Sequence, residues 1–141
     1  MKYIIPVCLF ILLSGTAWGQ IQQTSNPDLN YAQVKSVRIE KSARGTYAFH
    51  VTVRHNDEGW DHYADLWQVI DTVTGTILGE RVLLHPHENE QPFTRSQSGI
   101  VIPDGTAAIT VRAKCTKHGY EGKQVKIDLT LDSGEDYSIK K

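Results

Sequence analysis

The chain has 141 residues, a formal net charge of −1, 40% hydrophobic and 22% charged residues, and two cysteines. That length suits one domain rather than two. The near-neutral balance, with no basic run, excludes nucleic acid as the main partner, and two cysteines exclude a disulfide framework.

Residues 1–19 read as an export signal. Lys2 gives a positive start, residues 3–13 are apolar apart from Pro6 as a breaker, and Ala17 and Gly19 mark cleavage before Gln20. The apolar run is short for a permanent span, so no membrane insertion is expected after cleavage. The expected location is periplasmic or secreted, in a bacterium. Cys8 lies inside the apolar run, too early for lipid attachment. Cleavage leaves Cys115 as the one cysteine and removes the sole methionine, Met1. An unpaired thiol in an oxidising compartment calls for burial, a metal or a partner.

Residues 20–33 are polar and read as an extended lead-in. Period-2 alternation then predicts strands over residues 34–40, 46–54, 63–70, 76–84, 98–102, 107–115 and 124–131. In the second, Tyr47, Phe49, Val51 and Val53 face a core. In the sixth, Ile109, Val111, Ala113 and Cys115 do so. Residues 133–141 read as a polar tail. Seven short strands within residues 34–132 predict an all-β, immunoglobulin/fibronectin-III-like β-sandwich, with Trp67 as a candidate core tryptophan. A small barrel is the alternative.

If consecutive strands run antiparallel, the loops after the second, fourth and sixth strands share one end of the sandwich. Those loops are residues 55–62, 85–95 and 116–122, and they hold five of the six histidines. The loops at the other end are plain turns. Binding residues gather on such loops over a rigid scaffold.

Four chemistries compete for this end. Histidine and carboxylate suit a divalent transition metal, zinc or copper(II). His85 and His87 point the same way in an extended segment, and His62, His118 and Glu90 complete a candidate set. A metal-free reading has the same side chains satisfying long loops as a hydrogen-bonded cap. A third takes Trp60, Tyr63, Phe93 and Tyr120 as a patch for a small ligand or another exported protein. Catalysis ranks last. Glu88 and Glu90 offer paired carboxylates, but no nucleophile has a recognisable setting.

Cys115-Thr116-Lys117-His118 has Cys-x-x-His spacing, on the kind of loop where blue-copper proteins carry ligands, with His85 or His87 as the upstream histidine. The usual methionine is missing, and strand alternation points Cys115 into the core. A buried inert thiol is therefore expected there.

The strings Glu58-Gly59-Trp60-Asp61-His62-Tyr63-Ala64-Asp65-Leu66-Trp67, Leu84-His85-Pro86-His87-Glu88-Asn89-Glu90-Gln91-Pro92-Phe93-Thr94-Arg95 and His118-Gly119-Tyr120-Glu121-Gly122-Lys123 resemble a family of small exported bacterial proteins without an assigned function. The resemblance covers most of residues 55–130. It implies a compact exported β domain and assigns no reaction. The expectation is an exported binding protein that takes zinc or copper at its histidine-rich end. The alternative is a metal-free interaction module.

Overall fold

The computed structural model describes residues 27–141. The expected export signal and the first part of the lead-in lie outside the described residues. Nine strands follow in chain order: β1 (Gln33–Lys41), β2 (Tyr47–Arg54), β3 (Ala64–Asp71), β4 (Ile77–Val82), β5 (Phe93–Ile100), β6 (Ala108–Cys115), β7 (Val125–Asp128), β8 (Ser133–Gly134) and β9 (Tyr137–Lys140). No helix occurs among the described residues. One sheet has the order β5-β2-β1-β9-β8, the other β4-β3-β6-β7.

Alternation builds the layer between the sheets. Phe49, Val51 and Val53 of β2 are fully buried, as are Ile109 and Val111 of β6, and Trp67 fills the centre from β3. Burying each such side chain stabilises the fold by roughly 1.5–3 kcal/mol. In β1, Val37 sits opposite Val51 and Ile39 opposite Phe49. On the outer face of β3 and β6, Gln68 accepts hydrogen bonds from Arg112 at 3.0 and 3.2 Å, and Lys114 pairs with Asp65 at 2.7 Å. Polar-out, apolar-in strands of this kind stack as a two-layer sandwich.

Two segments differ from the sequence reading. β5 begins at Phe93, where a loop was expected. Its sequence FTRSQSGI is largely polar, and Gly99 takes a φ of 73° beside a register shift opposite Tyr47/Phe49. An edge strand with one bulge loses the period that would reveal it. The expected polar tail carries β8 and β9. β9 runs parallel to β1, with Ile139 opposite Ile39, and buries Tyr137 and Ile139 in the shared core. The count is therefore nine strands rather than seven. The two additions form the short hairpin β8–β9.

Residues 27–33 of the lead-in are part of the fold. The Asn56 amide donates to the Leu29 carbonyl at 2.8 Å, and the Val34 amide to the Lys123 carbonyl at 2.9 Å. Gln33 binds the carbonyls of Asp28 and Tyr31 through its amide nitrogen, and its Oε1 accepts from the Lys123 amide. Gly122 makes this close approach possible. A Cβ there would stand 1.9 Å from the Ala32 carbonyl oxygen. The lead-in therefore lies across the mouth of the sandwich and brings the Asn30 carbonyl over its end.

Candidate metal centre

β2 and β6 belong to opposite sheets and end at the same end of the sandwich. The inward set Phe49, Val51, Val53 continues one step past β2 to His55. The set Ile109, Val111, Ala113 ends on Cys115. A side chain from each sheet thus arrives at one level. His62, two residues before the buried Ala64 of β3, enters from the β2–β3 loop. The β2–β3 and β6–β7 loops are clamped together. The Tyr63 amide donates to Thr116 Oγ1, Thr116 Oγ1 donates to the Asp61 carbonyl, and the Thr116 amide donates to the Tyr63 carbonyl. Gly119, at φ 62°, turns the chain back and places His118 beside Cys115.

The potential ligand atoms of His55, His62 and Cys115 all lie within 4.8 Å of one another, and all three residues are buried, at 1, 4 and 1% exposure. Each histidine has a carboxylate on its Nδ1 side. His55 Nδ1 donates to Asp57 Oδ1 at 2.6 Å, and His62 Nδ1 lies 3.7 Å from Glu58 Oε2. That leaves Nε2 of each ring for the shared space. His62 Nε2 is buried with no hydrogen-bond partner. His55 Nε2 lies 3.1 Å from the Asn30 carbonyl oxygen. With the His55 Nδ1 proton given to Asp57, a neutral ring would aim a lone pair at that oxygen.

The sulfur completes the cluster. Cys115 Sγ accepts the His118 backbone N–H at 3.3 Å, and lies 3.4 Å from His118 Nδ1 and 3.6 Å from the Asn30 oxygen. His118 Nδ1 is 3.0 Å from that same oxygen. The His62 ring packs edge-on against both His55 and His118, with centroids 4.7 and 4.9 Å apart. Three donors facing one space, with carboxylates behind two of them, have the chemistry of a transition-metal site. A carboxylate on the far nitrogen fixes the tautomer and orients the ring for a metal.

The predicted ligands divide between two places. His62 and His118 join the cluster. His85, His87 and Glu90 sit on the β4–β5 loop, in a different arrangement. His87 is buried and stacks flat on Phe93 at 3.9 Å, with both ring nitrogens unpaired, and its Nδ1 lies 3.9 Å from Asp57 Oδ2. His85 is exposed, and its Nδ1 donates to the Pro86 carbonyl. Glu90 pairs with Arg95 at 3.2 Å, and that bond holds its carboxyl below the usual range. Among the described residues, the group of potential ligands within 4.8 Å is His55, His62 and Cys115. Sequence reasoning missed His55 and took Cys115 for a plain core thiol. The signal was there in strand parity, since both residues extend inward sets of strands that end together.

Asp57 ties the loops. Its Oδ1 accepts from His55 and from the Ala64 amide at 2.9 Å, and its Oδ2 accepts the His87 amide at 2.7 Å. Burial pushes its carboxyl up, but the hydrogen bonds from His55, His87 and Ala64 outweigh burial and hold it below the ordinary value. Burial pushes the His87 imidazole down, helped by Arg95 and His85 and opposed by Asp57 and Glu90.

The aromatics expected to form a ligand patch are dispersed. Trp60 is exposed and meets Tyr63 edge-on, Phe93 is buried beneath His87, and Tyr120 lies under the Arg112 guanidinium at 4.1 Å.

Residues of this chain are 42% identical, over 106 positions, to a protein of Halomicrobium mukohataei bearing the name "Putative lipoprotein". The match covers 75% of this chain and 51% of that protein, so the chain spans about half the length of the curated relative it matches. No family model and no solved structure matches the chain.

Proposed function

We propose that this is an exported, envelope-associated protein that holds one transition-metal ion, zinc or copper, at the His55–His62–Cys115 centre. The observation that carries this is the convergence of three buried donors, with His62 Nε2 left unpaired toward the shared space. An unpaired buried polar atom is costly, and a bound cation satisfies it. The lipoprotein name of the relative and the leader-like residues 1–19 support export. The strand order β5-β2-β1 against β4-β3-β6-β7, with Trp67 buried on β3, supports an immunoglobulin/fibronectin-III-like sandwich. In that fold, loops at one end carry the binding residues.

A metal-free reading has its own support. The ring of His55 already joins Asp57 to the Asn30 carbonyl, tying lead-in and loop without an ion. Thermal melts separate the two readings. A metal that binds only the folded chain stabilises it by about 2.7 kcal/mol at a free concentration one hundred times Kd. For a domain of this size that is roughly 10 °C in Tm. Added zinc or copper should raise the Tm of the wild type, chelator should reverse the rise, and Cys115→Ser should lose it while folding normally. Equal melting with and without either metal refutes the proposal.

A further inference from the structure

We infer that the ion is copper, held by Cys115 Sγ and the Nε2 atoms of His55 and His62, with the Asn30 carbonyl oxygen as a fourth, weaker donor, and that the site passes single electrons. This rests on the proposed metal site and specifies its chemistry.

The donor set decides the metal. Two imidazoles and one thiolate in a trigonal arrangement, with a distant oxygen or thioether on the axis, favour copper in an electron-transfer role. A structural zinc site instead closes with four strong ligands. Here the fourth position faces a backbone oxygen that lies 3.1 Å from His55 Nε2 and 3.6 Å from the sulfur. No methionine is needed if the Asn30 main-chain oxygen serves as the weak fourth donor. His118 then acts on the sulfur rather than on the metal. Its backbone N–H donates to Sγ at 3.3 Å, and its Nδ1 lies between the sulfur, at 3.4 Å, and the Asn30 oxygen, at 3.0 Å. Hydrogen bonds to the thiolate draw charge from it and raise the copper potential.

Burial decides the role. All three ligands are 4% exposed or less, so a substrate has no route to the ion, and electron transfer needs none. The half-buried ring of His118 touches His62 on one side and Tyr31 on the other, and it is the part of the cluster nearest to solvent. The step is balanced simply. Cu(I) gives one electron to a one-electron acceptor, a redox protein or small complex at the His118 edge, and becomes Cu(II). No bond breaks, and no proton moves. Asp57, hydrogen-bonded behind the His55 imidazole, holds that ring in one geometry through both states.

The test uses untagged full chain stripped of metal, titrated with Cu(II). The expected result is an intense sulfur-to-copper charge-transfer band in the visible that saturates at one equivalent. Ascorbate should bleach it, and ferricyanide should restore it. Cys115→Ser and His62→Gln should each abolish the band. His118→Phe should keep the band and lower the midpoint potential. Copper bound with only weak absorption, or a band that does not recover after one reduction cycle, overturns this inference. Tight zinc or cobalt(II) binding alongside that result leaves the metal site standing without its copper chemistry. Binding of none of the three metals overturns both.

Discussion

Asp57→Asn is the sharpest test of how the centre is built. The carboxylate is fully buried and takes hydrogen bonds at 2.6, 2.7 and 2.9 Å from the His55 ring and from the His87 and Ala64 amides. The β2–β3 loop, the β4–β5 loop and the start of β3 meet on this one group. An amide of the same shape offers one acceptor oxygen in place of two. Whichever way it turns, its NH₂ faces an N–H donor. At least one hydrogen bond to the carboxylate is lost and at least one buried donor is left unpaired. Leaving a buried donor unsatisfied costs about 1–3 kcal/mol, which for a domain of this size is roughly 4–12 °C in Tm. The same change frees the His55 tautomer, so metal affinity should fall by about 10–100-fold. Circular dichroism melts of both proteins in chelator give the first number, and titration at a temperature where both are folded gives the second. A Tm within about 2 °C of wild type, or unchanged affinity, would refute the role assigned to Asp57.

Stability should fall as pH drops through about 6.5, because the buried His87 ring resists a proton that the unfolded chain accepts. Above that pH its contribution is complete and flat. Urea unfolding from pH 7.5 to 5 should show this slope, reduced in His87→Phe, and equal slopes would exclude His87 as its source. Gly122→Ala should destabilise the fold by roughly 1–3 kcal/mol and weaken metal binding, because the new methyl displaces Ala32 and with it the Asn30 carbonyl; wild-type binding in that variant would disconnect the lead-in from the site. Cys115, at 1% exposure, should react slowly with a thiol reagent in the native apo protein, fast in denaturant and not at all once metal is bound. Rapid native labelling would place the sulfur at the surface.

The parts of the fold legible in the sequence are those where alternation is strong. β2 and β6 repeat Phe-x-Val-x-Val and Ile-x-Val-x-Ala, and each falls within a residue of its expected bounds. The gathering of three loops at one end followed from strand direction, and the contacts from His62 to His55 and His118 and from Asp57 to His87 bear it out. β5 was legible only in part because it is a bulged edge strand with polar residues on most positions. β8 and β9 were hidden by their length, since two inward residues, Tyr137 and Ile139, do not make a period. At the site, the histidine count drew attention to the loop tips, residues 85–90, where side chains are abundant and mostly exposed. The buried donors sit at strand ends instead. His55 and Cys115 read as core continuation by parity, and only the pairing of opposite sheets turns two such residues into neighbours. Asn30 contributes a main-chain oxygen, which no side-chain pattern marks.

Elemental analysis of untagged protein, purified without added metal, is the decisive measurement for the proposed centre. The wild type should carry close to one copper or zinc ion per chain, and the Cys115→Ser/His62→Gln double variant none. A wild type that carries no more metal than the double variant, and takes up none when it is supplied, would contradict the proposal.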